Sequence, residues 1–96
     1  MLIARVVGSA VSTIKVDGLR GLKLLLVRET TPQDELVGDP FVAVDGVGAG
    51  VGEVVLVARG SAARQTEATE GRAVDALIMA ILDSIEVDGR RTFEKS

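Results

Sequence analysis

Cysteine and histidine are both absent from the 96 residues. Without cysteine there is no disulfide and no thiolate metal site. Without histidine the chain lacks the commonest metal ligand and the commonest general base. Tryptophan and tyrosine are missing too, and Phe41 and Phe93 are the only aromatics, so no platform exists for stacking bases. Lys and Arg number 11 against 14 Asp and Glu, a net charge of −3. That balance carries no basic stripe for a phosphate backbone. The longest apolar runs, such as Leu24 to Val27 and Val54 to Ala58, are far too short to span a bilayer. Met1 to Gly8 shows no basic region leading into a long apolar stretch and a cleavage site. The expectation is a soluble cytoplasmic protein with no nucleic-acid partner, no membrane partner and no cofactor.

What the chain has in quantity is small aliphatic residues and glycine. Apolar residues make up 47% of it, nearly all Val, Ile, Leu and Ala. A chain of this length buries a modest share of its surface, and self-association is the remaining way to cover so much apolar area. Glycines fall at alternate positions 46, 48, 50 and 52, between Phe41-Val42-Ala43-Val44 and Val54-Val55-Leu56-Val57. Glycine adopts backbone angles that a Cβ forbids and admits close approach by another chain. The loop is therefore a tight connection, or a place where something packs on bare backbone.

The flanks read as β structure. Leu2 to Thr13 is a long first strand, bent or bulged at Gly8. Asp17 to Gly21 is a turn, and Leu22 to Arg28 is a second strand. Glu29 to Pro40 is a polar surface loop, followed by a third strand at Phe41 to Asp45 and a fourth at Glu53 to Ala58. Strands of this length separated by turn signals suggest a barrel or sandwich. Gly60-Ser61-Ala62-Ala63-Arg64 suits one helical turn with Ser61 as its cap, and Gln65 to Arg72 suits a loop. From Ala73 to Val87, the spacing of Ile78, Ile81, Leu82 and Ile85 is helical, with Asp75 able to cap. The β-branched content of the same stretch suits a barrel-closing strand, and the residues alone leave both open. Arg90 to Ser96 is a charged tail. The whole chain, 1–96, reads as one domain.

Candidate chemistry is sparse. A dinucleotide fingerprint needs Gly-x-Gly-x-x-Gly ahead of a helix; here the third glycine arrives one residue early, and a strand follows. No lysine stands nearby in sequence for a phosphate loop. Ser9, Ser12, Ser61 and Ser84 have no histidine to activate them, and Lys15 and Lys23 read as solvated. Asp34 and Glu35 read as wet surface. Asp45 and Glu53 flank the glycine loop and suit bonds to its backbone or to a neighbouring arginine better than acid–base work. Gly60 to Arg64 reads either as a capped turn with Arg64 in solvent or as a contact patch. In the second reading small residues allow close approach and Arg64 supplies a planar donor fork.

Five segments in order carry a resemblance. They are Met1-Leu2-Ile3-Ala4-Arg5-Val6-Val7-Gly8, Gly21 to Val27, Val42 to Val57, Gly60-Ser61-Ala62-Ala63-Arg64 and Val74-Asp75-Ala76. Together they resemble the EutN/CcmL family of bacterial microcompartment vertex proteins over nearly the whole chain. The family often has proline just before Val-Asp-Ala, where this chain has Ala73.

The resemblance implies an all-β fold: a small five-stranded OB-like barrel with one or two short helical turns, assembled as a homopentamer. It implies a structural shell protein in the bacterial cytoplasm rather than an enzyme. The pentamer would cap the vertices of an icosahedral shell and contact hexameric shell proteins to close it around enclosed enzymes. By the same likeness Gly48, Ala49 and Gly50, with Asp45 and Glu53, lie near the pentamer axis and interface. Gly60, Ser61, Ala62, Ala63 and Arg64 lie near the contact with neighbouring tiles. The resemblance also favours a closing strand at about Ile78 to Val87 over the helix. Two rivals remain on the residues alone. One is a standalone small-molecule or nucleotide-binding barrel using loop 46–52, and the other is a small enzyme using Asp45 and Glu53.

Overall fold

The computed structural model describes residues 1–11, 21–64 and 75–96. Five strands close a barrel: β1 (Leu2–Ala10), β2 (Leu24–Glu29), β3 (Phe41–Asp45), β4 (Val54–Arg59) and β5 (Ala76–Ile81). Their order around the barrel is β1-β2-β3-β5-β4. Only the β3–β5 pairing is parallel, and it spans the short register Val44↔Leu77 and Asp45↔Ile78. This is the small Greek-key barrel of OB type. The expected turn at Asp17 to Gly21 and the loop at Gln65 to Arg72 lie outside the described residues, except Gly21 with its positive φ of 81°.

A narrow barrel has room for small side chains only. Ala4, Val6, Leu25, Val27, Ala43, Val55, Val57, Ala76 and Ile78 fill it, and Ile78 is the largest of its fully buried side chains. The scarcity of aromatics is thus a packing requirement of this interior. β1 shifts register between Val6 and Gly8, which is the bulge expected at Gly8. A second, smaller cluster sits outside the barrel wall. There Val44 and Leu77 are covered by Ala63 from the 3-10 turn Gly60–Arg64, with Leu22 and Leu24 beside them.

At the C-terminal end the helical alternative falls, and the expected closing strand is corrected. No helix forms over the described part of 73–87, and the closing strand does not run from Ile78 to Val87. β5 ends at Ile81, and the chain breaks at Leu82 and Asp83. It resumes as β6 (Ser84–Val87), which pairs antiparallel with β7 (Arg90–Glu94) in a separate two-stranded sheet. The segment read as a charged tail is therefore half of a hairpin. The helical spacing arose because two strands of different sheets were read as one element. β5 is also buried on both faces from Ala76 to Ile78, which erases the alternation that marks a half-buried strand.

Candidate functional site: the glycine loop and its two carboxylates

The loop between β3 and β4 is held from within. Oδ1 of Asp45 accepts the backbone N–H groups of Val47 at 3.0 Å, Gly48 at 3.0 Å and Ala49 at 3.2 Å. Oε1 of Glu53 accepts the next amide, from Gly50, at 2.7 Å. Four consecutive amides thus converge on two carboxylates, one from each end of the loop. A short Asp side chain beginning a turn makes this arrangement readily. Lys23 Nζ lies 3.5 Å from Asp45 Oδ2 and donates to the Ala49 carbonyl at 3.3 Å. Lys95 Nζ lies 2.8 Å from Glu53 Oε2.

Gly46 answers the question of what packs on bare backbone. Its N–H donates to the Ile78 carbonyl at 3.2 Å, and a Cβ there would stand 2.9 Å from that oxygen. β5 is the chain that approaches. Gly48 and Gly52 have φ of 78° and 92°, where a Cβ would be strained. The far end of the loop is laced to β1, with Gly52 N–H on the Val6 carbonyl at 2.8 Å. Ala49 turns inward; its side chain is 1% exposed and joins the barrel core as a plug at one end.

The electrostatics disfavour acid–base work. Burial pushes the Asp45 carboxyl up, but the amides of Val47, Ala49 and Gly48 and the charge of Lys23 outweigh it and leave the pKa lowered. Lys95 and the Gly50 amide lower that of Glu53. A general acid at neutral pH needs its pKa raised. Both groups are instead ionised, with one oxygen of each bonded to the loop amides and the other beside a lysine. Phosphate finds no free cradle either, since the amides that would hold it already point at Asp45 and Glu53. A cleft of about 540 Å³ lies beside the loop, between barrel and hairpin. Its charges face one another: Arg5 Nη2 meets Asp34 Oδ1 at 2.6 Å, and Glu53 meets Lys95. Among the described residues no group of three acidic, His or Cys side chains could hold a metal ion.

The sequence-derived candidates therefore divide. Asp45, Gly48, Ala49, Gly50 and Glu53 come together in one loop, as their spacing implied. Gly60, Ser61 and Ala62 are exposed on the 3-10 turn, whereas Ala63 is fully buried against Val44 and Leu77. Arg64 closes that turn. Sequence reasoning missed Arg5, Lys23 and Lys95, and it read Asp34 as wet surface although Arg5 holds it. Their distances along the chain are the reason: 29 residues separate Arg5 from Asp34, and no local pattern announces a partner that far away.

A closed five-strand barrel whose glycine loop is braced by its own carboxylates is a scaffold, not a catalytic cleft. Comparison with known proteins gives the class. Residues 1–83 match the family described as ethanolamine utilisation protein EutN/carboxysome, and the chain belongs to that family. It is 48% identical to the carboxysome shell vertex protein CcmL of a Nostoc species, over 99% of this chain and 95% of that one. Among solved structures, Gloeobacter violaceus CcmL superposes with a TM-score of 0.93 at 43% identity, covering 99% of this chain and 98% of that one. The GrpN pentameric microcompartment shell protein from Rhodospirillum rubrum superposes with a TM-score of 0.82 at 41% identity, covering 91% of this chain and 99% of the other.

Proposed function

We propose that the chain is a structural vertex protein of a bacterial microcompartment shell, acting as a homopentamer in the cytoplasm. The observation that carries this reading is the near full-length superposition on a pentameric shell protein of the same family. The internal bracing of the glycine loop supports it, because the donors that a ligand-binding or catalytic rival would use are already spent.

The role is geometric. In a ring each subunit presents two different surfaces, and closure leaves no unused one. Five-fold units add curvature to a layer of six-fold tiles, so a pentamer fits where facets of hexameric shell proteins meet. Exposed Val7, Val42, Val51 and Met79 are apolar area available for subunit contacts. The rim of the glycine loop, formed by Gly48 and Gly50 with Asp45 and Glu53 behind it, faces the five-fold axis. Ala49 acts from inside, as the plug that holds the loop down. The turn Gly60-Ser61-Ala62 with Arg64 meets the neighbouring hexamer, and Ala63 anchors that turn to the barrel wall. One domain, 1–96, does all of this.

Co-expression with hexameric shell proteins tests the role. Closed particles should form with this chain and fail to close without it, as seen by electron microscopy. Arg64→Ala should leave the oligomer intact and lower its content in purified shells. Particles that close equally well without the chain would contradict the vertex role. Saturable nucleotide binding in a titration would revive the ligand-binding barrel.

A further inference from the structure

The C-terminal hairpin returns to the glycine loop by two separate routes. In the first, Lys95 Nζ sits 2.8 Å from Glu53 Oε2 while Oε1 of the same carboxylate accepts the Gly50 amide at 2.7 Å. In the second, the Phe93 ring lies under the Arg5 guanidinium, 5.8 Å from its carbon to the ring centroid, and Arg5 donates to the Gly52 carbonyl at 2.8 Å. Lys95 is itself fixed by its backbone N–H on the Asp83 carbonyl at 2.8 Å, and Thr92 Oγ1 donates to the Pro32 carbonyl. Residues 47–49 use different anchors, namely Asp45 and Lys23.

The loop is therefore braced in two halves, one from β2 and β3 and one from the chain's end. We infer that Lys95 is a positioning residue for the second half of the glycine loop: acting through Glu53, it couples the C-terminal hairpin to the conformation of Gly50, Val51 and Gly52. Among the described residues the hairpin has no ladder to the barrel strands, and its two strands pair with each other. A two-stranded hairpin alone is marginal in water. Its side-chain links to the loop and to Pro32 give it a fixed place, and the loop in return takes its shape from the hairpin. Whatever meets the hairpin thereby shifts Val51, the more exposed of the loop's two valines at 66%. This coupling lies within one chain and does not depend on the ring.

Residue-resolved amide hydrogen exchange on the full chain tests it, with Lys95→Met, Glu53→Gln and the double variant compared. Glutamine keeps an oxygen for the Gly50 amide but loses the ion pair. Exchange at Gly50 should rise by about two- to fivefold in each single variant, the size expected for a partly exposed ion pair. The double variant should show no more than either alone, since both remove one link. Val47, Gly48 and Ala49 should exchange as in the parent. Raising salt should move the parent toward Lys95→Met. An unchanged Gly50 rate would overturn the inference. So would an equal rise from 47 to 50, which is the mark of general loosening, or additive effects in the double variant. Native mass spectrometry of the same samples reads the oligomer separately, so a failed ring and a failed coupling give different results.

Discussion

At Gly46 a Cβ would meet the Ile78 carbonyl oxygen at 2.9 Å and Leu77 Cδ1 at 3.2 Å, whereas at Gly50 it would meet only the end of Glu53, at 3.4 Å. Neither glycine is in the left-handed region. The difference is one of space alone. Backbone cannot yield as a side-chain tip can, so Gly46→Ala should cost about 1–3 kcal/mol by the scale of overpacking. Gly50→Ala should cost about 1 kcal/mol or less by the same scale. Chemical denaturation of the two variants checks the order. Ala49→Leu belongs with Gly46→Ala: its methyl group lies in the barrel core, so the larger side chain should lower the stability of the barrel itself. Asp45 gives a pH dependence of defined sign. Its folded pKa is lowered from 3.8, so its contribution to stability is complete above that value and is lost as pH falls through the lower folded value. The denaturation midpoint of the parent should exceed that of Asp45→Asn at neutral pH. The gap should close only in acid below pH 3.8. A gap that persists undiminished well below the folded value would show that the charge of Asp45 contributes nothing.

Among the elements, those bounded by punctuation were legible and those bounded by tertiary partners were not. β3 was readable to the residue because Pro40 and Gly46 bracket it, and β4 differs by one residue at each end. β1 ends at Ala10 with Val11 beyond it, the rest of the expected strand to Thr13 lying outside the described residues, and β2 starts at Leu24 rather than Leu22. Leu22 instead packs beside the 3-10 turn, a contact that no local pattern encodes. The glycine loop was recognisable as a special connection, and the choice of its own carboxylates as partners followed from short-range chemistry. The lysines that brace them come from 22 and 42 residues away (Asp45 to Lys23, Lys95 to Glu53), beyond any sequence motif. The 3-10 turn makes the most specific prediction at this scale. Ala63 is fully buried between Val44 and Leu77, so Ala63→Leu should lift the turn from the barrel wall at a cost of about 1–3 kcal/mol. Ala62→Leu, on the exposed side, should leave thermal stability nearly unchanged. Equal melting temperatures for the two would contradict the anchoring role of Ala63.

For the whole molecule, the barrel interior accounts for folding, and in the proposed ring the outer apolar residues would account for association. Val51 stands at the loop rim, 66% exposed, in the same cleft lining as the ionised Glu53. If five copies of the rim crowd round an axis, Val51→Asp adds five like charges there, while the nearby cations Arg5 and Lys95 are already paired with Asp34 and Glu53. The single chain should keep its β circular dichroism while the ring dissociates or weakens, visible by analytical ultracentrifugation. Normal ring stability in that variant would move the loop away from the axis. The vertex role, however, stands or falls on the number of subunits. Native mass spectrometry of the purified full chain reads it directly. A homopentamer gives a dominant species of five times the 10.0 kDa chain mass, persistent on dilution through the micromolar range. A monomer or dimer at every concentration would contradict the vertex role and return the barrel to the search for a ligand.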